Sequence, residues 1–416
     1  MITYTGTVVV IPTRNRAAIA TNAIRSVLNQ PAENVSVLVS DNSTSETERE
    51  MLAEFCAKHA DSRLRYVRPP DALSMPAHWD WAIHEALRSY SASHFLFLTD
   101  RMMFRKGALS EVLKLAALHP DKVIAYNQDR IVDNVRPIRV EQCPGTGKLL
   151  EVDSLRFTWL LSQAVFHPGL PRMNNSVVPR AVLGRIEERF GAVFSSISPD
   201  FNFCCRCLEM EQSILFYDKS PIFHYALHRS NGASVTRGEM TPDYRDFMAN
   251  LPAANAIWHA TPIPELNTAV NAVFHEYFLF QQETGSDRFF PVDHEKYLQA
   301  NATEIEEIID PRLKAEMLSL LVSNGYRAPR KNGAHGAAPL VDRFKAKMKR
   351  IATAPPTTSA WLFAARNLGV RPPGDNQFDF ATLDDAIDYA QNISTGSVTA
   401  SRAYEEVLQP REIPKQ

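Results

Sequence analysis

The chain has 416 residues, of which 45% are hydrophobic and 22% are charged, the balance of a globular protein with room for two domains. Its formal net charge of −2 offers no basic surface for nucleic acid, so we expect no nucleic-acid partner. No apolar run reaches the roughly 18 residues of a spanning helix, and the N-terminus lacks a signal-peptide pattern. The five cysteines are sparse and odd in number, which indicates a reducing compartment, so we expect a cytoplasmic protein.

Strand and helix patterns alternate over the first 120 residues. Apolar, β-branched runs at 7–11, 35–39, 64–67 and 95–98 predict strands. A helix is predicted after each, from helical spacing of apolar residues after the first and fourth, a capping box after the second and a tryptophan-rich segment at about 76–87 after the third. This alternation predicts an α/β fold with a mostly parallel, Rossmann-like sheet flanked by helices. Since such sheets bind ligands beyond the carboxyl ends of their strands, the loops that begin at Pro12, Ser40 and Thr99 become the candidate site.

The rest of the chain divides by composition. Short strands mixed with helices over 120–240 complete a first domain, 1–240, and a mainly helical extension follows at 241–326. Glycine, proline and basic residues predict a flexible linker at 327–340, before a basic, helical C-terminal region at 341–416. The basic amphipathic stretch 341–351 has two interpretations, a solvated helix face or a peripheral contact with the inner face of the cell membrane.

Six segments over roughly residues 5–235 resemble, in order, the family-2 glycosyltransferases with a GT-A fold. They are VVVIPTRNR, VLVSDNSTSE, LSMPAHWDWAI, FLFLTD, SPDFNF and HRSNGAS. One departure lies in the third segment, where His78 stands in place of the asparagine common in the family. The resemblance implies a GT-A fold, a nucleotide-sugar donor and transfer of a glycosyl group.

The resemblance also implies roles for individual residues. Asp41 would recognise the nucleobase, and the alternative is an Asx-turn residue that shapes its loop. Asp200 would act as the general base of an inverting displacement, and the alternative is an N-cap of the following helix. Asp100 and the loop residues Thr13, Arg14 and Asn15 would contact the donor. For Arg14 the alternative is a solvated surface arginine.

The second departure concerns the metal. Where the family has Asp-x-Asp, this chain has Asp100-Arg101-Met102, and methionine is a poor ligand for Mg²⁺ or Mn²⁺. Asp100 could hold an ion with help from His224 or His228, which alternate with apolar residues as if on one face of a strand. Alternatively Arg101, Arg105 or Lys106 could offset the diphosphate charge, or activity could be lost. We favour a weak or absent metal.

The sequence therefore predicts a glycosyltransferase that uses a nucleotide-sugar donor and a saccharide or lipid-linked acceptor in surface polysaccharide or glycolipid synthesis. The alternative is a catalytically silent module that binds a nucleotide sugar within a polysaccharide assembly complex. The altered Asp-x-Asp segment is the feature that supports this alternative.

Overall fold

The computed structural model of the chain describes residues 5–32, 34–59, 61–143, 145–252, 260–327 and 377–392. The strands are β1 Thr7–Thr13, β2 Val35–Asp41, β3 Leu64–Val67, β4 His94–Phe97, β5 Met102–Phe104, β6 Ile124–Val132, β7 Ile138–Glu141, β8 Leu149–Asp153, β9 Ser176–Pro179, β10 Ser213–His224 and β11 Gln377–Phe380. The helices are α1 Ala17–Leu28, α2 Glu46–His59, α3 Met75–Ser89, α4 Ala108–Leu118, α5 Ser154–Ser162, α6 Arg180–Phe190, α7 Pro199–Met210, α8 Asn231–Arg237, α9 Pro242–Ala249, α10 Ala269–Thr284, α11 His294–Ile305, α12 Pro311–Ser323 and α13 Leu383–Asn392.

The N-terminal part of the sheet is parallel, as its sequence pattern predicts. Strands β3, β2, β1 and β4 lie side by side in that order, and all three neighbouring pairs are parallel. The register sets Val10 of β1 beside Leu38 of β2 and Phe97 of β4. Their carboxyl ends therefore meet at one edge of the sheet, where the predicted site loops begin.

The other part of the sheet is mixed. Strand β9 joins β4 to β6 through two antiparallel pairs, and β7 and β11 extend that edge with antiparallel pairs. The long strand β10 pairs in parallel with β6 and antiparallel with β5 and β8. The α/β class is confirmed, with helices around one central sheet, but the sheet is mixed rather than mostly parallel.

Both faces of the sheet are covered, which explains the continuous apolar runs of the central strands. On one face Phe95 and Phe97 of β4 pack with Trp79 of α3 in a core of buried side chains. Leu96 of β4 points to the opposite face and packs with Ile24 of α1. A strand with two buried faces shows no alternation of polar and apolar residues. The polar residues that follow such a strand are therefore the sequence signal for where it ends.

A helical region follows the sheet. Helices α9, α10, α11 and α12 lie within the predicted extension 241–326, and Phe274, Tyr297 and Leu321 form part of a core that α10, α11 and α12 share. Helix α10 also packs along α7. The linker prediction beyond residue 327 and the stretch 341–351 lie outside the described residues, so the domain boundaries stay predictions.

None of the helices that the structure describes combines the length and the apolar character needed to cross a bilayer.

Helix α13 contacts the sheet through Arg105, which also forms a buried ion pair. Arg105 is 2% exposed and its guanidinium bonds both the Asp129 carboxylate and the backbone oxygen of Ala390. The N–H of Lys106 donates to the oxygen of Gln391 at 3.0 Å. Arg105 and Lys106 were considered as diphosphate ligands from the sequence. The Arg105 side chain is engaged with the C-terminal segment, and neither residue lines the cavity described below.

We expect Asp129→Ala to lower the free energy of unfolding by about 3–5 kcal/mol, because the buried Arg105 charge loses its partner. The matched control is Arg130→Ala, which breaks the more exposed pair between Arg130 and Glu141. That change should cost no more than about 1 kcal/mol. Urea unfolding of both variants measures the difference, and equal effects would contradict the assignment of the Arg105 pair as an anchor.

Candidate active site

A cavity of about 830 Å³ opens at the edge of the sheet where β1, β2 and β4 end. Thr13, Asn42 and Asp100 line it from these three strand ends. Residues of α7, α9 and α10 complete its wall, among them Asp200 and Asp243. A cavity therefore lies at the location predicted beyond the strand ends. Part of its lining comes from helices that are distant in sequence from these strands.

Two predicted donor residues meet because β1 and β4 are parallel neighbours. Thr13 ends β1 and Asp100 lies just past β4, and the Thr13 hydroxyl donates to Asp100 Oδ2 at 2.9 Å. Asp100 is 3% exposed, so its charge needs a partner within the protein. That partner is Arg16, whose Nη1 lies 3.4 Å from Asp100 Oδ1.

Arg16 connects the strand ends to helix α9. Its Nε donates to Asp243 Oδ1 at 3.1 Å, and its Nη2 donates to the backbone oxygen of Arg229 at 2.7 Å. Burial lowers the pKa of Arg16, but the charges of Asp100 and Asp243 outweigh that effect and raise it. Arg229 makes a two-pronged pair with the same Asp243 carboxylate, at 2.5 and 3.0 Å.

Arg14 makes a second connection to α9. Its Nε and Nη2 donate to the two oxygens of Asp246 at 2.7 and 3.1 Å. Arg14 is one of the residues predicted from the sequence, whereas Arg16, Arg229 and both carboxylates of α9 are not. The available signal was the charge-rich pattern of the two segments, but partners 227 residues apart, as Arg16 and Asp243 are, cannot be assigned from a pattern.

The Asp100-Arg101-Met102 segment has a single carboxylate, followed by a cationic side chain and by a residue that is paired in the sheet. Arg101 lines the cavity and donates to the Tyr225 oxygen at 3.3 Å. Burial, followed by the charge of Arg16, lowers its pKa to about 10, so it remains cationic at neutral pH. Met102 begins β5 and pairs with His224 of β10, which fixes the third position of the segment in the sheet.

Asn15 joins the loops after β1 and β2. Its side-chain oxygen accepts the N–H groups of Thr44 and Ser45, each at 2.9 Å, and its own N–H donates to the Ser43 hydroxyl. Its φ of 54° is a left-handed value that asparagine tolerates better than most residues. Asn15 thus shapes the cavity rim with its side chain turned toward the neighbouring loop.

Asp41 lies beneath the same rim. It is fully buried, with Oδ2 accepting the Tyr66 hydroxyl at 2.7 Å and Oδ1 accepting the N–H of Ser43 at 2.8 Å. The contact with Ser43 is the Asx-turn that was the alternative interpretation. Asp41 itself does not line the cavity, whereas the next residue, Asn42, does. Recognition of a base by Asp41 stays a prediction.

His78, the departure in the third segment, also lines the cavity. Its Nε2 lies 2.8 Å from the Ser40 hydroxyl. Burial, followed by the charge of Arg14, lowers the pKa of His78 to about 3. The ring is therefore neutral at physiological pH and adds no charge beside the arginines.

The predicted strand that would align His224 with His228 is wrong, because β10 ends at His224. Asp133 accepts the N–H groups of Ala226 and Leu227 at 2.8 and 2.9 Å, which turns the chain into a short 3-10 segment. His228 lines the cavity and its Nδ1 lies 3.9 Å from Asp133, while burial lowers the pKa of His224 to about 3.

These residues do not fit a divalent ion. Asp100 has one oxygen bonded to Thr13 and the other facing Arg16, so a cation would have to displace an existing cation. Over the ranges of the chain that the structure describes, no three His, Cys, Asp or Glu side chains form a group that could hold a metal. The predicted pair of ligands, Asp100 and His228, does not come together in such a group.

Asp200 lines the same cavity from the first turn of α7. Its Oδ1 accepts the N–H of Phe201 at 3.0 Å, and Ser198 occupies the N-cap position that the sequence offered to Asp200. Burial raises the pKa of Asp200, and the charge of Arg172 and the N–H donors oppose that rise. A carboxylate with a raised pKa accepts a proton more readily, which suits a general base.

Comparison with solved structures finds chains of low identity and partial similarity. S. aureus TarS 1–349 in complex with UDP-GlcNAc is 14% identical with a TM-score of 0.42, over 75% of this chain and 83% of that chain. The complex of TarS 1–349 with UDP has 14% identity and a TM-score of 0.41, over 77% and 88%. S. aureus TarS has 14% identity and a TM-score of 0.40, over 77% and 54%.

A comparison with curated proteins finds no match. The family model "Glycosyl transferase family 2" matches residues 8–170, which include β1 to β8 and hence Thr13 and Asp100. This match agrees with the resemblance of the N-terminal motifs and with the position of the cavity at the strand ends. Residues 8–170 belong to glycosyl transferase family 2, and the chain is a glycosyltransferase.

Proposed function

We propose that this glycosyltransferase moves a sugar from a nucleotide-sugar donor to a saccharide or lipid-linked acceptor with inversion, in surface polysaccharide or glycolipid synthesis. The observation that carries the proposal is a single cavity lined both by an arginine cluster and by a carboxylate of raised pKa, Asp200. The arginine cluster consists of Arg14, Arg16, Arg101 and Arg229, all of which line that cavity. The arginine cluster suits binding of a diphosphate, and the Asp200 carboxylate suits removal of a proton from the acceptor.

The arginine cluster would bind the donor's diphosphate without a divalent ion. The guanidinium groups of Arg14, Arg16 and Arg229 pair with three carboxylates, Asp100, Asp243 and Asp246, while that of Arg101 donates to the backbone oxygen of Tyr225. Arginine matches phosphate oxygens with paired N–H donors, and fixed cationic donors can stabilise the charge that develops on a leaving diphosphate. Thr13 would orient Asp100, and Asn15 with Asp41 would hold the loops around the nucleoside.

The transfer would be one displacement at the anomeric carbon. The acceptor oxygen attacks that carbon as its proton passes to the Asp200 carboxylate, and a new glycosidic bond forms. The bond to the diphosphate oxygen breaks at the same time, and the nucleoside diphosphate leaves with the electron pair. A single base is sufficient because that leaving group needs no proton, and a single displacement inverts the anomeric configuration.

The acceptor class rests on the sequence analysis. A peripheral membrane contact through 341–351 and a cytoplasmic location belong to the same proposal, since a lipid-linked acceptor would lie at the inner face of the membrane. Vesicle binding by the full chain and by a variant with the basic residues of that stretch changed to glutamine tests the contact.

We expect Asp200→Asn to lower the rate of donor hydrolysis and sugar transfer about 10²–10⁴-fold, because the amide cannot accept the acceptor proton. Donor affinity should stay within a factor of about three, since Asp200 touches the acceptor side of the step. Steady-state turnover over a panel of nucleotide sugars, together with calorimetric binding, measures both quantities.

The matched control is Asp293→Asn, at a helix N-terminus outside the cavity. Asparagine caps helices as well as aspartate does, so this variant should keep full activity. Undiminished turnover in Asp200→Asn would remove Asp200 from the reaction.

We expect Arg229→Gln to weaken binding of nucleoside diphosphates about 10–100-fold, the effect of losing charged hydrogen bonds. Binding of the corresponding nucleoside should hardly change, because it lacks the diphosphate. Calorimetry with EDTA present measures both ligands and also shows whether the wild-type chain binds without a divalent ion.

Arg237→Gln is the matched control, since Arg237 pairs with Glu239 and does not line the cavity. Its affinities should equal those of the wild type. If EDTA abolishes wild-type binding and Mn²⁺ restores it, the metal-independent mode of diphosphate binding is wrong.

A further inference from the structure

Glu276 of α10 is a buried carboxyl group that contacts the loop before Asp200. Its side chain is 1% exposed, and one of its oxygens, Oε1, accepts the N–H of Ser198 at 2.8 Å. Ser198 is the N-cap of α7 but makes no capping bond with its own side chain. The Glu276 carboxyl therefore bonds the residue that begins α7, two positions before Asp200.

The loop that Glu276 contacts is held in an unusual conformation. Ser196 has a φ of 61°, in the left-handed region that disfavours most side chains. The Asn202 oxygen accepts both the N–H and the hydroxyl of Ser195, at 3.0 and 3.2 Å. Asn202 and Glu276 thus tether the two ends of this loop, and their contacts fix where α7 begins.

The surroundings of the other oxygen of Glu276, Oε2, make the charged form of the side chain less favourable than the neutral form. Within the part of the chain that the structure describes, Oε2 is buried and makes no hydrogen bond of standard geometry. An unsatisfied oxygen costs more on a carboxylate than on a neutral acid. Burial raises the pKa of Glu276 to about 8, a rise opposed by the Ser198 N–H and by the polar side chains of Ser196 and Asn202.

The groups that face Glu276 leave the neutral form favoured. Helix α7 presents Asp200, whose negative charge opposes ionisation of Glu276, and Arg206, whose positive charge favours it, together with the Cys205 thiol. Burial raises the pKa of Cys205 well above its usual value, so the thiol stays neutral. On α11, Glu304 is an acid of raised pKa that instead accepts the N–H groups of Ala269 and Val270 at the start of α10.

We propose that Glu276 is a positioning residue that works in its protonated form, because its carboxyl then holds the loop that presents Asp200 without placing a second negative charge beside that base. The proposal rests on the proposed role of Asp200 as the base. Ionisation of Glu276 would bring a second buried negative charge close to that base. Transfer should therefore decline on the alkaline side, above about pH 8.

The test compares Glu276→Gln, Glu276→Leu and the control Glu304→Gln in donor turnover from about pH 6 to 10. Glutamine keeps an oxygen for the Ser198 N–H and cannot ionise, so kcat should match the wild type near neutrality and persist above pH 8. Leucine removes the acceptor, so kcat should fall about tenfold or more at every pH while the affinity for nucleoside diphosphates is unchanged. Glu304→Gln should keep the wild-type alkaline decline. The same decline in Glu276→Gln as in the wild type would overturn the proposal.

A second measurement does not depend on catalysis. A buried acid with a raised pKa holds its proton better in the folded state, so its contribution to stability is complete below the unfolded pKa near 4.5 and is lost as pH rises toward 8. The wild-type unfolding midpoint in urea should fall relative to that of Glu276→Gln over this range. If the two midpoints changed equally with pH, the proposal that Glu276 is protonated in the folded protein would be wrong. Full turnover in Asp200→Asn would instead overturn the proposed function, so the two failures are distinguishable.

Discussion

The buried charge of Asp100 constrains the whole site. The charge of a carboxylate that is 3% exposed must be compensated nearby. Met102 stands where the family has a second acidic residue, and the charge of Asp100 is compensated by Arg16. Arg16 needs partners of its own, and it finds them in Asp243 and in the backbone of Arg229. Charge compensation at one strand end therefore draws helix α9 over the cavity, and the shape of the site follows from it.

The functional site is assembled from more of the chain than the segment that matches the family. Residues 8–170 contribute the strand ends, the rim loops and Asp100. Asp200, Arg229 and Asp243 lie beyond that segment, and Glu276 belongs to the helical region. The helices after the sheet are thus part of the candidate active site, because they carry the charges that the strand-end residues require.

Burial acts on the ionisable groups around the cavity in opposite directions according to their chemistry. It raises the pKa of the acids Asp200 and Glu276 and lowers the pKa of His78 to about 3. In each case it favours the neutral form. Positive charge is consequently concentrated on the arginines, which stay ionised, and the site separates into a cationic part and a part suited to accept a proton.

The strands 7–11, 35–39 and 64–67, their parallel pairing and the position of the cavity could be predicted from the sequence, because β-branched runs and the polar residues after them are local signals. The sequence also identified Thr13, Arg14, Asp100 and Asp200, which line the cavity. Only the tertiary structure decided which charges pair, since Arg16 and Asp243 are 227 residues apart. It also decided that β10 ends at His224, where Asp133 captures the following N–H groups. Ion pairs and capping bonds depend on distance in space, and sequence spacing carries no record of that distance.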